Sequence, residues 1–373
     1  MGRRRRDGRS ARHGGERSRV AGRRKVVTRH LPVDTQLVAA LGEEGVAARR
    51  LKEQGFDGAF TFEGGHDVFF PLVTAAREGV GLDLMTNIAV ALPRSPVHLA
   101  HAAWDLQQLS GGRFRLGLGS QVKAHVTRRY GSRFDPPVGR MREWVRATRA
   151  VLDSWAGGEP LAYEGTYTSH TLMPPTFRPE PSPHPVPPVL LAALGPRMTA
   201  AAGEVADGLL VMPFNSAQHV RERTLPALAE GLAAAGRPRL GAAGDTFEVV
   251  GEVIVGCARD ERELAQATAG VRRLLAFYAS TPAYRPVLNV HGWGELQPEL
   301  QKLTRAGRWD QLPEAIDDTM LHTLAAVGSP KDVAAEIHAR WQGVATRLAF
   351  YQPYSAQPDT TGELLAAIRA GGG

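Results

Sequence analysis

This chain of 373 residues contains a single cysteine, Cys257, and has no long hydrophobic run. One cysteine excludes a disulfide within the chain and argues against a thiolate metal site. The flanking residues, VIVGCARD, are typical of a strand end, so we interpret Cys257 as a buried structural cysteine. No apolar stretch approaches the roughly 20 residues that a membrane-spanning helix needs. We therefore expect a protein of the reducing cytoplasm with no membrane partner.

Three common motifs are also missing, of which two bind nucleotides and one carries a nucleophilic serine. No GxGxxG turn follows the first predicted strand, which argues against an open dinucleotide-binding sheet. The GxxxxGK[ST] spacing of nucleotide-hydrolysing loops is absent. Ser120 lies in GLGSQ, where glutamine replaces the last glycine of a GxSxG nucleophile elbow. These absences exclude the corresponding classes of nucleotide hydrolase and serine acyl-transfer enzyme.

Acidic residues are scarce at the N-terminus. Residues 1–30 contain eleven arginines and one lysine against two acidic residues, whereas the whole chain has a net charge of +7. The remainder, 31–373, is therefore mildly acidic, and we do not expect it to bind nucleic acid. The segment has few apolar residues and no periodicity, so we interpret it as a solvated, disordered basic extension. A tether to nucleic acid or an anionic surface, and a targeting or partner-binding segment, remain as alternatives.

From Pro32 onward, short apolar runs alternate with amphipathic stretches of helical spacing. Eight such runs, each followed by a helical stretch and without a break in composition, predict one (β/α)8 TIM barrel over residues 31–373. An insertion is expected after strand 4, with a small hairpin at 163–170. A second insertion is expected after strand 7, where an excursion at 280–312 breaks the alternation. The predicted strands are 33–37, 56–62, 81–92, 113–119, 189–194, 207–212, 247–257 and 344–351.

The C-terminal ends of the strands should carry the active site, because this is where (β/α)8 barrels place it. Gly195 and Pro196 come between the fifth strand and a helix, a turn whose free N–H groups suit a phosphate, although an ordinary turn is the alternative. Asn87 lies in a buried apolar strand and must find hydrogen-bond partners, so it either tethers a loop or faces a ligand. The cluster of Glu63, His66 and Asp67 has no second cluster with matching ligand spacing, and we expect no metal site.

At these strand ends the sequence resembles the F420-dependent oxidoreductase branch of the luciferase-like monooxygenase superfamily. The resemblance covers the chain from about Val33 onward. It is carried by TNIAVALPRSP (86–96), LSGGRFRLGLGSQVKAHVTRRYG (109–131), AALGPRMTAAAGEVADGLLV (192–211), STPAYRPVLNVHGWGEL (280–296) and HTLMPPTF (170–177).

The resemblance implies an enzyme that moves a hydride between the deazaflavin coenzyme F420 and a small organic substrate with a C=C, C=N or alcohol/carbonyl group. It also implies a homodimer. An FMN-dependent monooxygenase on the same barrel is the first alternative, and a non-catalytic cofactor-binding barrel is the second.

The resemblance also assigns cofactor contacts. It implies a non-proline cis peptide at Asn87–Ile88 that presses on the cofactor ring. Further ring contacts would come from Val90, Ser120, Gln121 and His125. The phosphate-binding turn would consist of Leu194, Gly195, Arg197 and Met198.

Two positions depart from the family pattern. Gly64 stands where the family often has a catalytic histidine, and Val122 replaces the glutamate of its sugar dehydrogenases, which argues against sugar oxidation. Because an imidazole titrates near neutral pH, His66 and His125 are the candidate proton donors, with Glu63 to orient one of them. The basic loop residues Lys123, Arg128 and Arg129 either hold an acidic ligand group or are solvated.

Overall fold

The computed structural model describes residues 31–371, so the arginine-rich segment and its interpretation lie outside the described residues. The described part contains twelve strands. They are β1 (Val33–Gln36), β2 (Gly58–Thr61), β3 (Asp83–Thr86), β4 (Ala89–Val90), β5 (Phe114–Gly119), β6 (Tyr163–Glu164), β7 (Ser169–His170), β8 (Val189–Ala193), β9 (Gly208–Val211), β10 (Glu248–Cys257), β11 (Ala326–Gly328) and β12 (Arg347–Tyr351).

The predicted barrel is confirmed. The parallel strands pair in the order β10, β12, β1, β2, β3, β5, β8 and β9, and pairing of β9 with β10 closes the circle. Strand β4 continues β3 and also pairs with β5, while β11 adds to the end of β10. The antiparallel pair β6 and β7 forms the hairpin predicted within the insertion after the fourth barrel strand.

Thirteen α-helices accompany these strands in the described part of the chain. They are α1 (Glu44–Glu53), α2 (Phe70–Arg77), α3 (Pro96–Leu109), α4 (Pro137–Gly157), α5 (Pro196–Val205), α6 (Ala217–His219), α7 (Leu225–Ala234), α8 (Glu261–Ala279), α9 (Arg285–Val290), α10 (Leu296–Arg305), α11 (Asp318–Leu324), α12 (Pro330–Trp341) and α13 (Pro358–Gly371). Between residues 31 and 371, none of them is long and apolar enough to cross a membrane.

Three regions differ from the sequence-based prediction. The run 81–92 is divided into β3 and β4 by Asn87 and Ile88. The helical stretch that follows the sixth predicted strand is not one continuous helix, because it consists of α6, a π-helical turn (Val220–Thr224) and α7. The excursion at 280–312 is largely helical, since it contains α9 and α10.

The barrel interior is arranged in layers, because alternate residues of each strand point inward. The N-terminal end is closed by charged side chains, among which Arg347 pairs with Asp34 and Asp83, and Arg115 pairs with Asp83 and Glu248. The next layer is apolar and consists of Phe60, Met85, Leu190, Leu210, Val250 and Ala349. The polar side chains above this layer therefore belong to the C-terminal mouth.

Candidate active site

The sequence-predicted site residues come from four loops at the C-terminal mouth of the barrel. Glu63 and His66 follow β2, and Asn87 and Ile88 lie between β3 and β4. The segment 120–125 follows β5, and the segment 194–198 follows β8 and begins α5. Parallel strands bring these chain segments to one end of the barrel, as the predicted fold requires.

The peptide between Asn87 and Ile88 is cis, as the resemblance implied. Asn87 is 4% exposed, and its carbonyl oxygen accepts a hydrogen bond from Tyr351 Oη at 3.4 Å. Its side-chain Nδ2 is buried and has no hydrogen-bond partner within residues 31–371. Ile88 packs against Gly119 of β5, where an added Cβ would lie 2.7 Å from the Ile88 side chain. Glycine at 119 thus allows this close approach.

The exit of β5 is a tight turn built from Ser120 and Gln121. Ser120 Oγ donates to the Gln121 carbonyl at 3.1 Å, and Gln121 Oε1 accepts from the Val122 N–H at 2.9 Å. Gln121 has φ of 57°, a left-handed conformation that costs a non-glycine residue about 1–2 kcal/mol. The exposed His125 follows and begins a π-helical turn (His125–Arg129), a feature that recurs at functional sites.

The turn after β8 leaves the start of α5 open. Gly195 is the residue before the helix, has no side chain to cap it, and has extended backbone angles. An added Cβ on Gly195 would meet no atom within 4 Å, so there is free space at this helix end. Leu194 and Met198 pack against the core and fix the turn, whereas Arg197 is exposed. Pro196 has no N–H, and the Met198 N–H donates to the Gly195 carbonyl at 3.1 Å, so within the described residues the Arg197 N–H is the first-turn donor left for an anion.

Glu63 is held by partners other than the two candidate histidines. Its Oε1 accepts from the Val90 N–H at 3.0 Å and forms an ion pair with Arg94. Its Oε2 accepts from Tyr130 Oη at 3.3 Å. Burial and the Glu63 carboxylate raise the pKa of the Tyr130 hydroxyl. The carboxylate therefore joins the exit of β2 to the exits of β4 and β5.

His66 and His125 are both exposed, and neither ring makes a hydrogen bond to another residue of the described part. Val90, in contrast, is fully buried, and it touches the polar site through its backbone N–H. In the basic loop, Lys123 pairs with Asp135, and Arg129 Nη2 donates to the Gly64 carbonyl at 2.9 Å. These two side chains are thus engaged within the protein.

Sequence reasoning missed a buried carboxyl near Asn87. Glu252 of β10 is 2% exposed, and burial raises its pKa to about 8. The signal was present in the sequence. In the strand FEVVGEVIVGC, period-two alternation places Glu252 on the same face as Val250 and Ile254.

The excursion after β10 packs against the mouth. His291 Nε2 lies 2.7 Å from Ser216 Oγ in the loop after β9, and the His291 ring stacks on Trp293. Tyr284 packs on Phe214 with ring centroids 6.2 Å apart. Within residues 31–371 no group of three or more His, Cys, Asp or Glu side chains could hold a metal ion.

Comparisons with known proteins show to which family the chain is similar. A model of the luciferase-like monooxygenase family matches residues 25–347. An uncharacterised protein of Mycobacterium tuberculosis (strain ATCC 25618 / H37Rv) is 44% identical over 320 residues, which are 86% of this chain and 93% of that protein. A second protein of that strain, provisionally named a coenzyme F420-dependent oxidoreductase, is 30% identical over 326 residues, 82% of this chain and 89% of its own.

Two solved structures share the fold. The coenzyme F420-dependent tetrahydromethanopterin reductase of Methanopyrus kandleri superposes with a TM-score of 0.74 at 20% identity, covering 92% of this chain and 99% of its own. The oxygenating constituent of 3,6-diketocamphane monooxygenase from Pseudomonas putida, in complex with FMN, has a TM-score of 0.60 at 15% identity, covering 91% and 96%. The chain belongs to the luciferase-like monooxygenase family.

Proposed function

We propose that this protein is an F420-dependent oxidoreductase that transfers a hydride between the deazaflavin and a small organic substrate. The observation that carries the proposal is the pairing of two features on one barrel mouth. One is the uncapped start of α5 with free space at Gly195, and the other is the Asn87–Ile88 segment with its unpaired buried amide. A phosphate and a planar ring fit these two features.

The turn at Gly195 would bind the cofactor phosphate. The Arg197 N–H at the start of α5 would donate to a phosphate oxygen, and the helix dipole would favour the negative charge. Arg197 is exposed in the first turn of the helix and adds a positive charge. Leu194 and Met198 would contribute by fixing the turn from below.

The ring would lie against Asn87, Ile88, Ser120 and Gln121, with His125 at its edge and Val90 behind it. When bound, the deazaflavin supplies or accepts the hydride at its central ring carbon. The task of the surrounding residues is to orient the ring and the substrate, which contributes most to such a step. The Asn87–Ile88 segment and the left-handed turn at Gln121 form this surface.

A proton must accompany the hydride, and we propose His66 and His125 as its donors. Both imidazoles are exposed, and within the described chain neither ring is tied up in a hydrogen bond. Each can therefore exchange a proton with a bound substrate. The Glu63 carboxylate, already engaged by Arg94 and Tyr130, would instead hold the loop geometry.

FMN is the second candidate cofactor. A structural neighbour was solved in complex with FMN, and FMN also combines a phosphate with a three-ring system. On this alternative the protein would be a monooxygenase, with the same turn at Gly195 and the same surface at Asn87.

Equilibrium binding of each cofactor to the purified protein tests the proposal. We expect micromolar or tighter binding of F420 and weaker binding of FMN. Micromolar FMN binding without F420 binding would contradict the proposal and favour the monooxygenase. Light scattering on the same preparation tests the expected homodimer, which a monomeric mass would contradict.

Reduced F420 should then be oxidised by one class in a panel of unsaturated carbonyls, imines and carbonyl compounds. His66→Gln and His125→Gln variants are assayed beside the wild type, with His98→Gln as a matched control because His98 is exposed at the start of α3. We expect one of the first two to lower turnover by about 10²–10⁴-fold, the usual contribution of a general acid. Full activity in both would show that neither is the proton donor.

A further inference from the structure

Arg140, in the first turns of α4, is a buried cation without a carboxylate partner. It is 9% exposed, and in the described part of the chain it forms no ion pair, while its Nε is buried without a hydrogen-bond acceptor. The two other buried arginines of that part differ, because Arg340 pairs with Glu336 and Arg347 pairs with Asp34. Removing a charge from water without a partner is costly, so Arg140 is the one of these three whose charge is left unbalanced.

Two aromatic rings lie against the Arg140 guanidinium. Its Cζ is 4.9 Å from the centre of the Trp144 ring and 5.5 Å from the centre of the Tyr167 ring. Cation–π contacts of this kind offset part of the cost of burial. They leave the N–H donors at the guanidinium edge without acceptors, and the two Nη atoms, unlike Nε, are not enclosed by the described chain. The guanidinium is thus held by the rings and open at its Nη atoms.

The hairpin of β6 and β7 holds Tyr167 in this position. Glu143 of α4 accepts hydrogen bonds from the Thr166 N–H at 2.8 Å and from the Tyr167 N–H at 2.7 Å. Gly139 allows the ring to approach the helix, because an added Cβ there would lie 3.2 Å from the Tyr167 ring. Glu143 is one turn beyond Arg140 on the same helix, yet its carboxylate is engaged by the hairpin. The insertion after β5 therefore covers the guanidinium with a ring without supplying it with a carboxylate.

Trp144 links Arg140 to the mouth of the barrel. Its Nε1 donates to the Arg94 carbonyl at 2.7 Å, and the Arg94 guanidinium pairs with Glu63 at the exit of β2. Helix α4 begins after the loop that follows β5, so its first turns lie at the C-terminal end of the barrel. Arg140 therefore lies beside the loops that carry the proposed active site.

We propose that Arg140 binds an oxyanion, which is a carboxylate or phosphate group on a ligand of the barrel mouth. The guanidinium fork fits two oxygens of such a group, and the charge-assisted pair would satisfy its donors and balance its charge together. The two rings hold the guanidinium before the anion arrives, so little freedom is lost on binding. This anion site is separate from the turn at Gly195, and it does not depend on which cofactor the protein binds.

Thermal unfolding in inorganic phosphate tests the site, with chloride at equal ionic strength as the reference. Four proteins are compared, and all carry Gly195→Asp so that phosphate at the start of α5 does not contribute. They are this parent, Arg140→Met, Arg140→Lys and Arg273→Met. Methionine keeps much of the apolar stem without the charge, and lysine keeps the charge without the planar fork. Arg273→Met is the matched control, because Arg273 is exposed on α8 and forms no ion pair in the described chain.

We expect phosphate to raise the unfolding temperature of the parent and of Arg273→Met equally, with a dissociation constant on the order of 1 mM for a single bidentate contact. Arg140→Met should bind phosphate at least about tenfold more weakly, and Arg140→Lys should lie between the two. If Arg140→Met does not fold, Arg140→Lys carries the test, with an expected loss of at least about threefold. An equal phosphate effect in the parent and the Arg140 variants overturns the inference, as does the lack of any phosphate effect in the parent.

F420 affinity, measured in proteins without Gly195→Asp, identifies the source of the oxyanion. A loss of at least about tenfold in Arg140→Met, but not in Arg273→Met, assigns the oxyanion to the cofactor. Unchanged F420 affinity, together with phosphate binding at Arg140, assigns it to the substrate. Phosphate binding at Arg140 in a protein that binds neither F420 nor FMN contradicts the proposed function and leaves this inference standing. F420 binding in a protein whose phosphate response does not depend on Arg140 overturns this inference alone.

Discussion

The Glu63 carboxylate accepts hydrogen bonds from three parts of the chain: the Val90 N–H, the Arg94 guanidinium and the Tyr130 hydroxyl. Arg94 in turn donates to the Val90 carbonyl at 3.1 Å, and its own carbonyl accepts from Trp144 Nε1 at 2.7 Å. A carboxylate that accepts hydrogen bonds from three donors, one of them the charged Arg94 guanidinium, is fixed in place. Such a group shapes the mouth of the barrel and is poorly suited to exchange protons during turnover.

Replacing Glu63 with Gln should therefore lower stability and leave the shape of the pH–rate profile unchanged. The variant loses the ion pair with Arg94, and we expect unfolding free energy to fall by about 1–3 kcal/mol, because the pair is largely buried on the Glu63 side. Urea unfolding measures the first effect, and the pH dependence of kcat/KM measures the second. Loss of one limb of that profile would instead identify Glu63 as a general acid or base.

Asp67 provides the matched control for this prediction. Its carboxylate binds the same guanidinium at 3.1 Å but is 37% exposed, so solvent screens the pair. Asp67→Asn should change stability by less than about 1 kcal/mol, and asparagine can still accept the Phe69 N–H bond.

Two buried polar residues show what can be read from the sequence at single positions. Asn87 was recognised because an amide inside an apolar run needs partners, and the structure buries it with its carbonyl bonded to Tyr351. Glu252 meets the same criterion in an apolar strand, and the same argument would have found it. The identity of their partners could not be predicted, because Asn87 and Tyr351 are 264 residues apart in the chain.

The turn between β8 and α5 was predictable because its signals are local. Glycine before a helix and proline at its first position are both favoured by backbone chemistry alone. At Gly195 an aspartate side chain would find free space and would cap the helix by accepting its N–H bonds. It would also occupy the space, and carry the charge, of the proposed phosphate.

Gly195→Asp should thus lower cofactor affinity without lowering the stability of the fold. We expect unfolding free energy to stay equal or rise by up to about 1 kcal/mol, because Asp is a preferred N-cap residue. F420 affinity should fall by at least about tenfold through repulsion and lost N–H donors. Thermal unfolding and equilibrium binding measure the two effects on one preparation.

Gly195→Asn is the matched control, because asparagine caps as well but carries no charge. Its affinity should fall less than that of Gly195→Asp. Unchanged affinity in both variants would mean that the cofactor phosphate lies elsewhere.

The helical stretch after β9 was predicted less well, and proline explains part of the difference. Pro226 has no N–H to donate to the carbonyl four residues before it, so a regular α-helix over 216–234 lacks one bond there. The structure has a π-helical turn (Val220–Thr224) directly before α7. Hydrophobic spacing does not distinguish such a turn from an α-helix, since the apolar face is nearly the same.

The order of strands and helices in the whole barrel followed from periodicity, but the contacts that close it did not. Arg347 on β12 pairs with Asp34 on β1, and these residues are 313 positions apart. The same is true of the excursion, where His291 reaches Ser216. Such contacts form only when the barrel closes. Local sequence patterns predict the order of the strands and helices, but not which side chains meet across the closed barrel.

The charged layer that closes the N-terminal end of the barrel should be important for stability. Burial raises the pKa of Asp34 to about 6, and Arg347 opposes this rise. Arg347→Met leaves Asp34 without its ion-pair partner, and removing one partner of a buried pair typically costs about 3–5 kcal/mol. Urea unfolding at pH 8 should show a loss of this size.

The pH dependence of the Arg347→Met variant follows from the sign of the Asp34 shift. A carboxyl with a raised pKa binds its proton more tightly in the folded state, so stability is gained as the pH falls below the folded pKa. Removing Arg347 raises the Asp34 pKa further, and the variant should therefore lose less stability at pH 5 than at pH 8. Adding Asp34→Asn to Arg347→Met should recover part of the loss at pH 8, because it removes the unpaired charge.

Lys302→Met, which breaks an exposed pair with Glu299, should cost at most about 1 kcal/mol at either pH. An equal loss in Arg347→Met at both pH values would mean that its cost is one of packing alone.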